Sequence, residues 1–267
     1  MRARGLAIAL FLLLGGPGWA APTADDVQKA EKAIAEKIKE LKGDGLLPTQ
    51  RITHEGLEKA FPQTLFFAAH IRQFPVARVL PEGSKIKNQN LFVVGKDGKV
   101  EHLTEAKELE KYFRANLPAA KDDGSIKNAL HAWLALSPEF IQDGFFKFKI
   151  VEDASKVAAD GKGKKATGQV VVMAGGNGEI TATLTFDEAG KLTAASDTTK
   201  VRAGPRPICQ ATKLLDADPI VRKMAEQDLL YMGRAAHDYL MQQRAKAAPE
   251  LRQAIDRLWQ RIVEVDR

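Results

Sequence analysis

The sequence predicts an α+β protein, with an antiparallel sheet packed against helices and an all-helical C-terminal segment. Segments in which apolar and polar residues alternate, separated by glycine-containing turns, dominate residues 145–201. Near both ends of the chain, apolar residues instead recur at intervals of three and four, as expected for amphipathic helices. Strands that follow one another through short turns favour an antiparallel sheet with one face buried under helices.

Residues 1–20 have the pattern of a secretory signal peptide. Arg2 and Arg4 give a positive start, residues 6–14 are continuously apolar, and Ala20 offers a cleavage site after small residues. The apolar run is about half of the roughly 20 residues that a membrane-spanning helix needs. We therefore expect an exported protein, periplasmic or extracellular, whose mature chain has no membrane span. An uncleaved N-terminal anchor is the alternative.

Residues 21–62 are predicted to form an N-terminal helical segment. Asp25 or Asp26 supplies an N-cap, and Gly43 is a plausible end of the first helix. Between them, five apolar residues stand at helical spacing: Val27, Ala30, Ile34, Ile38 and Leu41. A second, short helix is expected at residues 54–61.

Residues 63–202 are predicted to form the α+β domain, beginning with a hairpin. Two apolar runs, 90–95 and 99–103, flank the dipeptide Asp97-Gly98, which is a strong hairpin-turn signal. Two helices should follow, with Thr104 and Ser125 as their N-caps.

Four strands are then expected to complete the domain as a meander, at residues 145–151, 168–174, 179–186 and 191–201. The glycine-rich stretch 175–178 fits a hairpin turn, since it lacks the Lys-Ser/Thr pair of a phosphate-binding loop. Residues 161–165, Gly-Lys-Gly-Lys-Lys, are expected to form a basic, flexible loop.

Residues 203–210 are predicted to be a linker, because Pro205 and Pro207 favour an extended and semi-rigid path. The same stretch holds Cys209, the only cysteine of the sequence, so no intrachain disulfide can form. A buried, inert thiol and a thiol that pairs two chains both remain open for Cys209.

The C-terminal segment, 211–267, is predicted to be helical throughout and contains a run, 215–233, that resembles a HEAT-like repeat. The run reads LDADPIVRKMAEQDLLYMG. Asp218 is expected to cap its helix, with Pro219 at the first helical position. Arg222 should reach the carboxylates at the helix start. Gly233 should end the helix in the left-handed conformation.

The resemblance implies a surface for protein contact and no enzyme activity. It covers one repeat, whereas a solenoid needs about three to bury a continuous core. The candidate interaction residues are Asp218, Val221, Arg222 and, on the last helix, Trp259. The alternative is a three-helix C-terminal bundle that only stabilises the fold.

No catalytic or metal-binding motif is found in the sequence, and no cofactor is predicted. The five histidines lack the spacing of zinc ligands on one helix. His131, between Leu130 and Trp133, is interpreted as a core or boundary histidine. Glu139 and Asp143 could act together as acid and base, but solvated residues at a helix end explain them as well.

We therefore expect an exported, non-enzymatic protein-interaction or scaffold module with another protein as its partner. The formal net charge of +6 is too mild to indicate nucleic-acid binding. The alternative is a small-ligand-binding α+β domain. Its pocket would be lined by four aromatic residues: Trp133, Phe140, Phe145 and Phe146.

Overall fold

The computed structural model of the chain describes residues 22–43, 49–71, 80–204 and 211–265. It confirms the predicted fold class: antiparallel sheets packed with helices, followed by a helical C-terminal segment. The described helices are α1 (Ala24–Glu40), α2 (Glu55–Ala60), α3 (Ala106–Asn116), α4 (Asp123–Leu136), α5 (Pro219–Met232), α6 (His237–Lys246) and α7 (Pro249–Val265). The described strands are β1 (Gln50–Ile52), β2 (Leu65–His70), β3 (Gln89–Val94), β4 (Val100–Leu103), β5 (Lys147–Ile150), β6 (Lys156–Asp160), β7 (Gly163–Ala174), β8 (Gly176–Phe186) and β9 (Leu192–Ala203).

Sheet A is four-stranded and antiparallel, in the order β1-β2-β3-β4. Its central strands β2 and β3 pair from Leu65 opposite Val94 to His70 opposite Gln89, and nearly every residue in them is buried. Successive residues of a strand point to opposite faces. Phe66 and Phe67 accordingly enter two different hydrophobic clusters, so both faces of sheet A are covered.

Helix α1 covers one face of sheet A. It begins with a capping box, in which Thr23 and Asp26 each satisfy the backbone N–H of the other. Ala30, Ile34 and Ile38 are buried against the sheet, as their spacing predicted. The segment 21–62 is not helical throughout, however, because it contains strand β1, paired with β2.

The predicted hairpin is confirmed as β3 and β4, joined by a turn in which Gly98 has a φ of +76°. Both predicted N-caps that follow it are wrong by one to three residues. Helix α3 has Glu105 as its N-cap, whereas Thr104 donates its backbone N–H to the Glu108 carboxylate. Helix α4 has Asp122 as its N-cap, and Ser125 is the other member of the capping box.

Sheet B is five-stranded, in the order β5-β7-β8-β9, with β6 also paired to β7. Its strands show alternating burial, so one face packs on helices and the other faces solvent. The predicted meander is thus present, but β6 was not predicted. The expected flexible loop 161–165 is wrong, since Gly161 sits in a tight turn and Lys164 and Lys165 lie within β7.

Helix α4 lies between the two sheets and is buried on nearly every side, at Ile126, Ala129, Leu130, His131, Ala132, Trp133, Leu134 and Leu136. A helix that is apolar around its whole circumference belongs in an interior position. Residues of both sheets join α4 in one hydrophobic cluster, including Leu91 of sheet A and Leu184 of sheet B. The order of layers is therefore α1, sheet A, the helices α2 to α4, and sheet B.

Helices α5, α6 and α7 enclose a separate small core. It contains Leu229, Leu240, Ile255, Leu258 and Ile262, together with Phe145 from the chain before β5. The predicted linker begins one residue later than expected, because Ala203 is the last residue of β9 and Gly204 donates its N–H to Gly175 (3.1 Å). Residues 205–210 of that linker, Cys209 among them, and the predicted signal peptide lie outside the described residues.

Among the described helices, none combines the length and the apolar character that a membrane crossing requires.

Candidate functional site

The start of helix α5 is built as the sequence predicted. Asp218 is the N-cap and accepts a hydrogen bond from the Ile220 N–H (2.8 Å), with Pro219 at the first helical position. Asp216 in turn accepts from the Asp218 N–H (3.0 Å) and pairs with Lys213 (2.8 Å). The predicted cap at Asp218 is therefore confirmed, and its carboxylate is engaged within the chain.

Arg222 ties the preceding turn to helix α5, but by a different contact from the one predicted. Its guanidinium donates to the backbone carbonyls of Asp216 (2.6 Å) and Ala217 (3.0 Å) rather than to carboxylates. A hydrogen bond from a charged donor is stronger than one between neutral groups. Arg222 thus fixes the turn 211–215 and the residues after it against the helix.

Val221 and Trp259, the other two predicted interaction residues, are both half-buried. Val221 lies one turn before buried Ala225. Trp259 packs against the C-terminal core and contacts the His237 ring, with the ring centroids 4.8 Å apart. Gly233 ends α5 with a positive φ of 57°, but its ψ of −144° lies outside the left-handed helical region. Val221 and Trp259 are thus less exposed than a dedicated contact surface would be.

Three residues that were not predicted do present such surface. Leu215, Ile220 and Met224 are 47%, 67% and 57% exposed. Ile220 and Met224 are four residues apart and share a face of α5. Leu215 ends the turn that packs on that helix. We call these three residues the α5 patch. Their apolar character next to Val221 is the sequence signal for them.

Glu139 and Asp143, which the sequence allowed as an acid and base but favoured as solvated helix-end residues, do not converge on one site. The Glu139 carboxylate lies 3.0 Å from His70 Nε2, although the two groups are not aligned for a hydrogen bond. Asp143 instead accepts a hydrogen bond from the Phe145 N–H (3.0 Å). Each carboxylate therefore has its own local partner.

The four aromatic residues predicted to line a pocket are also divided among different environments. Trp133 is buried in the central cluster, where it donates to Asp197 (2.6 Å), whereas Phe145 belongs to the C-terminal core. Two surface cavities, of about 290 and 480 Å³, lie elsewhere, at the end of sheet A. Both are lined by Pro62 and Lys96, and neither includes the four aromatic residues.

A polar cluster outside the C-terminal helices brings together residues from three segments that are far apart in the sequence. His54 is the N-cap of α2, His131 lies on α4, and Glu152 lies in the short turn Glu152–Ala154 after β5. Glu152 Oε2 is 3.4 Å from His131 Nε2, and Glu152 Oε1 is 3.9 Å from His54 Nε2. One ligand-type atom from each of the three residues lies within 4.8 Å of the others.

Close packing of α2 on α4 creates this cluster. A side chain at Gly56 would meet the His131 Cβ at 2.6 Å, so only glycine allows the two helices to approach this closely. The rings of His54 and His131 then meet edge to face, with centroids 5.6 Å apart. His131 is only 6% exposed, and burial lowers its pKa below the ordinary histidine value. The sequence could not indicate this cluster, because its members share no motif.

Comparison with protein-family models, with curated proteins and with solved structures found no match for this chain. The HEAT-like resemblance of residues 215–233 therefore stays a prediction, and functional assignment depends on the geometry described above.

Proposed function

We propose that this chain is an exported, non-enzymatic protein-interaction module that binds a partner protein through the α5 patch. The observation that supports this proposal is the exposure of Leu215, Ile220 and Met224 on helix α5 and the short turn before it. Contiguous exposed apolar side chains on a folded protein commonly mark contact surfaces. The HEAT-like resemblance of the same run points to the same role.

Two of the residues predicted from the sequence, Asp218 and Arg222, hold the backbone that carries the patch. Asp218 fixes the first turn of α5, and Arg222 holds the preceding turn against it. A surface that is already rigid loses little conformational entropy when a partner binds. Asp218 and Arg222 therefore act as positioning residues for Leu215, Ile220 and Met224.

The size of the patch indicates which kind of partner binds. Three partly exposed side chains offer a few hundred Å² of apolar surface, whereas a stable interface buries roughly 800 Å² on each partner. This is too little for a permanent dimer of the chain. The patch fits a transient contact with a different protein, which contributes an apolar side chain of its own.

Site-specific crosslinking of the full-length chain tests the proposal. A photoreactive residue at position 220 should capture one partner from the envelope fraction of the source cell. The same residue at Met173 should not, although Met173 is equally exposed (61%) on β7. The purified partner should bind the chain directly, and Ile220→Asp should weaken that binding at least tenfold while Met173→Asp leaves it unchanged.

Two outcomes would contradict the proposal. One is equal capture from positions 220 and 173. The other is self-association of the purified chain that Ile220→Asp abolishes, because the patch would then join two copies rather than receive a partner. Thermal unfolding of each variant shows whether it retains the fold.

A further inference from the structure

We propose that His54, His131 and Glu152 form a binding site for a divalent first-row transition metal, with zinc the expected ion. This proposal is independent of the α5 patch, which lies on the C-terminal helices. Two imidazoles and one carboxylate are a ligand set that zinc accepts, whereas magnesium and calcium prefer oxygen ligands alone.

One separation in the cluster already suits this ion, and all three ligand atoms lie within 4.8 Å of one another. Ligands at about 2.1 Å from a tetrahedral zinc ion are about 3.4 Å from one another. The pair formed by His131 Nε2 and Glu152 Oε2 already has this separation (3.4 Å). The longer separations involve His54 and Glu152, whose side chains are 25% and 56% exposed and so have room to move. His131, held inside α4, is the fixed ligand.

The charges around the cluster also fit a cation. The Glu152 carboxylate supplies a negative charge beside the two imidazole rings. The nearby groups are Ser155, whose hydroxyl is 2.9 Å from His131 Nε2, and Lys127, 4.0 Å from Glu152. Glu55 is paired with Lys59 (2.5 Å). Ser155 and Lys127 are the contacts that a bound ion would displace.

Metal binding by His54 competes with its role as the N-cap of α2. Its Nδ1 accepts a hydrogen bond from the Gly56 N–H (3.1 Å), so the proton of the neutral ring is on Nε2. Ligation through Nε2 moves that proton to Nδ1 and breaks the capping bond. Loss of one such cap lowers the metal affinity about fivefold. This reduction in affinity is small compared with the affinity that three ligands provide. His54 therefore binds the metal in preference to the Gly56 N–H.

Titration of the full-length chain with Co²⁺ alone, followed by visible absorption, tests the proposal. All samples carry Cys209→Ser, so that the thiol cannot bind the ion. We expect one Co²⁺ per chain, displaced by one Zn²⁺. Absence of saturable binding at pH 7.5 would overturn the proposal.

Two variants with matched controls identify the site. Glu152→Gln should weaken Co²⁺ binding at least tenfold, whereas Asp153→Asn, which removes the neighbouring exposed carboxylate, should change it less than twofold. His54→Asn keeps a residue that caps helices well but removes the ligand. It should therefore abolish Co²⁺ binding, while the metal-free chain still unfolds cooperatively at a midpoint lowered only by loss of the ring contact with His131. Binding that survives both Glu152→Gln and His54→Asn would place the ion elsewhere and refute the assignment.

Discussion

Sheet A and sheet B are both antiparallel, but within the described ranges of the chain helices cover sheet A on both faces and sheet B on only one. In β2 the residues Phe66 and Phe67 are both buried, although they point in opposite directions. In β8 buried Ala182 and Leu184 alternate with residues that are exposed or half-buried. The difference shows that the covering helices, rather than the type of strand pairing, decide whether a strand is apolar throughout or in alternation.

The most severe test of this comparison is truncation of side chains on the two faces of each sheet. Phe67→Ala should lower the free energy of unfolding by about 3–5 kcal/mol, and so should Phe66→Ala on the opposite face of β2. In β8, Leu184→Ala should cost about 2–5 kcal/mol, but exposed Thr181→Ala less than about 1 kcal/mol. Urea unfolding followed by circular dichroism measures all four. A negligible cost for Phe67→Ala would show that α1 does not cover sheet A in solution.

A substitution in the helix layer between the two sheets should have an intermediate effect on stability. Gly56→Ala places a methyl group against His131 of α4, and forcing the two helices apart should cost about 1–3 kcal/mol. The control is Gly124→Ala in α4, where the nearest heavy atom to the new carbon is the Asp122 carboxylate at 3.1 Å. If differential scanning calorimetry gives the two variants equal midpoints, then close contact between α2 and α4 is not needed for the fold.

The smallest effect concerns pH, and it should have opposite signs in the two sheets. Burial lowers the pKa of His102 on β4, where its Nε2 donates to Asn90. The stability that neutral His102 contributes is therefore lost as pH falls through its lowered pKa. Burial raises the pKa of Asp197 on β9, so its ionisation costs stability as pH rises above about 3.8, the ordinary value.

Unfolding curves between pH 4 and 7.5 separate the two groups. His102→Gln should reduce the loss of stability on acidification below pH 6.5, and Asp197→Asn should raise stability at neutral pH relative to pH 4. Asn keeps an oxygen that accepts the Trp133 N–H, so the change isolates the charge. Parallel pH profiles for Asp197→Asn and the unmodified chain would contradict the role given to Asp197.

The same comparison explains how much of the fold could be predicted. Most strands of sheet B can be predicted from the sequence, because alternating apolar and polar residues and glycine-containing turns indicate strands with one exposed face. Strand β2, Leu65–His70, has no polar alternation and cannot be distinguished by pattern from a buried helical turn. Strand β1 has only three residues, which is too short for any period to show.

The N-cap of a helix can be predicted from the sequence where one residue stands in the capping position, and less well where several neighbouring residues could cap. Asp218 before Pro219 indicated its cap correctly. The run Asp122-Asp123-Gly124-Ser125 holds several residues able to cap, and only the structure shows that Asp122 does so. The cluster of His54, His131 and Glu152 depends on the packing of α2 on α4, which no local pattern encodes.

The position of Phe145 gives the C-terminal helices a second attachment. This residue lies in the core of those helices, and a single residue, Phe146, separates it from edge strand β5. The same helices follow, along the chain, from β9 at the opposite edge of sheet B. They are therefore linked to both margins of this sheet. Moving them away from it would pull Phe145 out of their core, which costs the free energy of its burial.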